Sequence, residues 1–119
     1  VSGKEYLLRL DWPPSALSPN ARLHWAAKAK VAKKYRRDAC YISQAMGCRA
    51  LGCDRLHMEI TFCPPNKARR DTDNMLAAIK SALDGIADAT GVDDSRWTYT
   101  LARGEPVKGG AVLVYVKPV

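Results

Sequence analysis

The sequence predicts a single α+β domain spanning residues 1–119, with elements in the order β-α-β-α-β-β and a small mixed sheet carrying two helices. Three observations lead there. Apolar residues alternate in four short stretches, and they recur at helical spacing in two longer ones. No linker, repeat or low-complexity tract separates these stretches. A chain of 119 residues suits one domain and should bury about two-thirds of its unfolded surface, enough for its own core. Its 47% hydrophobic and 26% charged residues are ordinary globular usage and exclude a disordered chain.

Lys4–Asp11 reads as the first strand, with Tyr6, Leu8 and Leu10 on one face and Leu7, Arg9 and Asp11 on the other. Trp12-Pro13-Pro14 ends it, because proline cannot donate to a ladder and keeps its predecessor out of the helical region. Ser15–Asn20 is a loop. Ala21–Met46 is the longest helical pattern, where Trp25, Ala32, Tyr35, Ala39, Ile42 and Met46 form one apolar stripe. Lys30, Lys33, Lys34 and Arg37 form a second stripe, centred nearly opposite the first. No acidic residue interrupts positions 21–37, whereas exposed salt-bridged helices mix signs. Two readings of this stripe stand: a solvated charged face, or one that meets phosphates.

Gly47–Asp54 breaks the pattern, and Leu56, Met58, Ile60 and Phe62 alternate as a second strand that stops at Pro64-Pro65. Asp73–Leu83 carries Leu76, Ile79 and Leu83 at helical spacing. Gly85 ends this helix, or Ile86 carries it on to Gly91. Arg96–Arg103 alternates through Trp97, Tyr99 and Leu101, and Ala111–Lys117 is rich in Val. Pro106 and Gly109-Gly110 lie between these last two strands, which predicts an antiparallel hairpin.

Several function classes drop out. No apolar run approaches the roughly 18 residues of a membrane helix, and no secretory signal precedes Tyr6, so a cytoplasmic protein without a membrane partner is expected. Cys40, Cys48, Cys53 and Cys63 contain no Cys-x-x-Cys pair, and His24 and His57 stand at no zinc spacing. Reduced cysteines are expected. The charge balance of 19 − 12 = +7 points toward a polyanionic partner.

The chemistry concentrates in Asn66-Lys67-Ala68-Arg69-Arg70-Asp71-Thr72-Asp73-Asn74, between a strand end and a helix start. Asp71 and Asp73 lie two apart and can aim at one point. Two carboxylates about 4 Å apart repel by about 4 kcal/mol at an effective dielectric of about 20, a cost that a divalent cation removes. The plainer reading is that one or both cap the helix and complement its dipole. Asp93-Asp94 is the second acidic pair, and taken alone it is explained better by a turn before a strand. If the central strands are neighbours, however, their ends bring Asp94 to Asp71 and Asp73. A calcium loop fails, since Met75, Leu76 and Ala82 stand where an oxygen ligand, glycine and glutamate are needed.

Arg70-Asp71-Thr72-Asp73-Asn74 is also a recognisable signature. With Trp12-Pro13-Pro14-Ser15, Asn20, the basic first helix and Val92-Asp93-Asp94, the chain resembles the RusA family of Holliday junction resolvases. The resemblance covers nearly the whole chain in the same order. It implies a RusA-like fold, a homodimer, and dependence on Mg²⁺, with Mn²⁺ able to substitute. It further implies paired symmetric nicks across a four-way DNA junction and a prophage origin in a bacterium. Carried over residue by residue, the catalytic and metal-binding acids fall on Asp71, Asp73 and Asp94, with Asp93 beside them. Arg70 matches the basic residue next to the first aspartate, a phosphate contact.

One departure matters. The family's lysine, four residues after the second aspartate, is Ala77 here. Lys80 lies one turn along roughly the same face, starting about 4.5 Å further down the axis, and is the candidate to replace it. The expected DNA contacts are Lys30, Lys33, Lys34, Arg37, Lys67, Arg69 and Arg70. The alternative is a junction- or duplex-binding protein on the same fold that cuts weakly or not at all.

Overall fold

The computed structural model describes residues 4–119. Along the chain it places β1 (Tyr6–Asp11), α1 (Trp25–Ala45), β2 (Leu56–Cys63), α2 (Thr72–Ala78), α3 (Lys80–Thr90), β3 (Trp97–Arg103) and β4 (Ala111–Pro118). The fold is α+β, with one mixed sheet in the order β1-β4-β2-β3. Val112, Val114 and Val116 of β4 are wholly buried, as are Met58, Ile60 and Phe62 of β2. Both strands are central, which explains their β-branched and apolar content. These residues pack with Leu8, Leu10, Tyr35, Ile79, Leu83 and Ile86 in one core under the helices. The opposite sheet face bears Arg9, His57, Glu59, Tyr115 and Lys117, exposed or half-buried.

The alternating stretches become strands within a residue or two of their expected ends, but their pairing differs from expectation. β3 and β4 are not a hairpin. β4 crosses over to lie between β1 and β2, antiparallel to both, and β3 pairs with β2 alone, in parallel, with Leu56 opposite Trp97 and Phe62 opposite Arg103. The valines decide this, because β4 buries its apolar face only at the centre of the sheet, and the half-exposed β3 is suited to an edge.

The second helical pattern runs past Gly85 to Thr90 and closes on Gly91, whose φ of 76° is left-handed and suits glycine. It is divided at Ile79, where φ −98° and ψ 7° leave the helical region and one tight turn joins Ile79 N–H to the Leu76 carbonyl. The apolar face continues through the break, as Ile79 is wholly buried. Gly85 faces α1 so closely that a Cβ there would lie 2.1 Å from the Arg36 carbonyl oxygen. A small residue at this crossing lets α1 lie on α3.

The long apolar stripe of α1 is covered only in its middle. Tyr35 and Ala39 are buried, but Trp25 is 75% and Met46 55% exposed. α1 spans 21 residues, about 30 Å, and packs chiefly on the 11-residue α3, beyond which its ends lie open. The Tyr35 hydroxyl donates to the Asp11 carbonyl at 2.7 Å, tying the helix to the end of β1, and burial keeps this phenol protonated by raising its pKa. Arg36 and Asp88 make a two-pronged ion pair, 2.7 and 2.9 Å, between α1 and α3.

Candidate functional site

Two distant segments meet at the end of β1. Trp12, Pro14 and Asn20 line one wall of a cleft of about 490 Å³, and Arg69, Arg70, Asp71 and Asn74 line the other. Both sequence motifs therefore open onto the same space, of a size typical of ligand clefts. A second cleft of about 610 Å³ shares Trp12 and Pro14 with the first and is lined by Lys30, Lys33, Lys34 and Arg37. The basic stripe of α1 thus runs into the Asp71 cleft around the Trp12-Pro14 corner.

Arg70 is held before any ligand arrives. Its Nη1 donates to the carbonyls of Asn66 and Ala68 at 3.2 and 3.0 Å, and its Nη2 to Asn66 Oδ1 at 3.1 Å. Its guanidinium lies over the Trp12 ring, 5.5 Å from the centroid. An arginine carries five N–H donors, so part of the fork remains for a phosphate. Lys67 and Arg69 are exposed beside it. On α1, Lys34 pairs with Asp38 at 2.7 Å and Arg37 reaches the same carboxylate at 3.9 Å. Lys30 and Lys33 make no ion pair among the described residues.

The two acids of the loop differ from simple caps. Asp71 occupies the N-cap position of α2 by its backbone, yet its side chain makes no capping hydrogen bond. Asp73, in the first turn, accepts from the Asn74 N–H at 3.0 Å. The hydroxyl between them, on Thr72, accepts from Arg103 at 3.0 and 3.1 Å. Arg103 was not among the sequence candidates. The signal that finds it is the parallel pairing, since the C-terminal end of β3 then lies beside that of β2, where the Asp71 loop begins.

The same pairing carries Asp94 the other way. It precedes β3 and so lies toward the starts of β2 and β3, not toward the end where Asp71 follows β2. Neighbouring strands, the condition for convergence, are present, but the convergence itself is not. Asp94 instead accepts from Lys80 Nζ at 2.6 Å, and Lys80 also donates to Asp84 at 2.6 Å. Hydrogen bonds to Asp84 and then Asp94 push the Lys80 pKa above its usual range. Asp93 caps the short turn Asp94–Arg96 by accepting from Ser95 N–H, and hydrogen bonding by the Ser95 side chain and then its backbone holds its carboxyl below the usual range.

Among the described residues no three His, Cys, Asp or Glu side chains are grouped to hold a metal ion. A three-carboxylate site of Asp71, Asp73 and Asp94 therefore does not fit the geometry of this single chain. All four cysteines are free, and burial pushes the Cys48 thiol up to about 11, too high for a reactive thiolate. No helix among the described residues is long and apolar enough to cross a membrane.

No family model matches the chain. It is 40% identical over 113 residues to an "Uncharacterized protein" of Xylella fastidiosa (strain Temecula1), a match covering 92% of this chain and 74% of that protein. The chain belongs to the same family as that bacterial protein.

Proposed function

We propose that the chain binds the phosphate backbone of branched DNA and acts there as a structure-selective endonuclease of the RusA type, a homodimer nicking four-way junctions. One observation carries this reading: the basic face of α1 and the Arg69–Asp71 loop open into clefts that share Trp12 and Pro14. A backbone laid along Lys30 and Lys33 is led around that corner to Arg70, which is already oriented by the loop. Phosphate contacts of this kind set position without reading sequence. The Asp71 carboxylate is out of place in a purely phosphate-binding cleft, because it repels the ligand that the lysines attract. Its presence there favours chemistry over binding alone. A bacterial cytoplasmic setting and prophage origin go with this reading.

A second reading has its own support. Ala77 stands where the resembling family has lysine, and Lys80 is held between Asp84 and Asp94. A chain so arranged binds junctions without cutting them.

Labelled four-way junction and linear duplex of the same sequence, incubated with Mg²⁺, Mn²⁺ or chelator, separate the two. Paired symmetric nicks that need the metal and vanish in Asp73→Asn are the expected result. Tight, junction-selective binding without nicks in either metal supports the second reading. Equal, weak binding of both DNAs with no nicks overturns both.

A further inference from the structure

Trp25 is the first residue of α1 and, at 75%, the most exposed of the described large apolar side chains, with Leu23 beside it at 45%. A single exposed apolar residue needs no explanation. This one is braced and surrounded. His24 accepts the Ala26 N–H through Nδ1 at 3.2 Å, which fixes its imidazole as the N-cap of the helix. That ring lies 5.6 Å from the Trp25 ring, tilted by 33°. The surroundings are cationic throughout: Arg22 precedes the tryptophan, Lys28 and Lys30 follow it, and no acid occurs between Asp11 and Asp38. Ser18 and Asn20, a few residues upstream on the same connection, line the Trp12 cleft.

We propose that Trp25 is a stacking platform for an unpaired base at the branch point of the DNA. The inference rests on the DNA reading above and adds the element that would distinguish a branch from a duplex. Phosphates are alike in both, so Lys30, Lys33 and Arg70 attract either. A duplex interior keeps the faces of its bases stacked, whereas a branch point leaves some open. An aromatic ring held at the head of a cationic helix takes such a face, and the positive surroundings hold the strands around it. Leu23 adds apolar contact at the same point.

The test compares native chain, Trp25→Ala and Trp25→Phe for binding to a four-way junction and to linear duplex at one salt concentration. A 2-aminopurine at the branch point of the junction reports stacking. Loss of one base–aromatic stack should weaken junction binding by about tenfold. Duplex binding should stay within about twofold, and the phenylalanine variant should retain most of the preference. The 2-aminopurine quench should be lost in Trp25→Ala, whose thermal midpoint should match that of the native chain because the side chain is exposed. An unchanged junction-to-duplex ratio in Trp25→Ala overturns the inference alone. So does a native dimer that Trp25→Ala converts to monomer in light scattering, which would seat the ring against a second copy. A native chain that binds neither DNA overturns the DNA reading and this inference with it.

Discussion

At the start of α2, Asp71 lines a cleft rimmed by Arg69 and Arg70, Asp73 follows two residues on in the first helical turn, and neither makes an ion pair among the described residues. At the start of α3, Lys80 is clasped by Asp84 and Asp94, both at 2.6 Å. One end leaves its charges to face what enters the cleft, and the other spends its charges on itself. Where a nearby cation could have been used, Arg70 turns to the carbonyls of its own loop and to Trp12. Internally matched charges hold elements in place, while unmatched ones in a cleft are available to a ligand.

The largest effect that tests this contrast is expected at the open end. Asp73→Asn should lower junction cutting by about a hundredfold or more, the usual scale for a positioned acid–base group, while junction binding stays constant or tightens as repulsion falls. Gel assays of cutting and binding on the same preparations check it. Equal losses of cutting and thermal stability would make Asp73 a structural residue and erase the contrast.

At the closed end the effect should be on stability and smaller. Lys80→Ala leaves Asp84 and Asp94 facing each other without their cation. All three side chains are a third or more exposed, so solvent screening limits the loss to no more than about 1 kcal/mol in urea unfolding. If Lys80→Ala instead abolishes cutting with stability intact, Lys80 belongs to the site.

The Arg36–Asp88 pair is a second internally matched contact, and pH tests it. Its hydrogen bonds to Arg36 hold the Asp88 carboxyl below its ordinary value of 3.8. A depressed carboxylate contributes stability above the unfolded value, and that contribution is lost as pH falls through the folded value. Asp88→Asn should therefore lower stability at neutral and alkaline pH and flatten the acid side of the profile, so that the two chains converge at low pH. Acid titrations of unfolding in both chains read this directly.

The smallest expected effect is none. With no three carboxylates grouped, millimolar Mg²⁺ without DNA should leave the thermal midpoint unmoved. A saturable rise that Asp94→Asn removes would show the acids of the two ends meeting in solution, and would dissolve the distinction between them.

What was legible in the sequence follows from how far each interaction reaches along the chain. Leu56, Met58, Ile60 and Phe62 alternate because a strand buries every second residue, and that period shows in any short window. Asp71 and Asp73 are legible as a site for the same reason, being neighbours in one loop. The exposure of Trp25 was not legible, because periodicity shows which face of α1 is apolar but not how far the elements packed beneath it extend.

By itself, then, the sequence determined the α+β class, the strand and helix segments, the basic stripe, and the acidic loop with its flanking arginines. The tertiary structure alone decided that β3 runs parallel to β2 at the sheet edge and that β4 fills the centre. From that one choice come Arg103 at Thr72, Asp94 at Lys80, and the absence of a three-carboxylate group among the described residues. The reason is physical. Periodicity is a property of neighbouring residues, whereas strand order depends on which apolar faces bury most completely against one another across the whole chain.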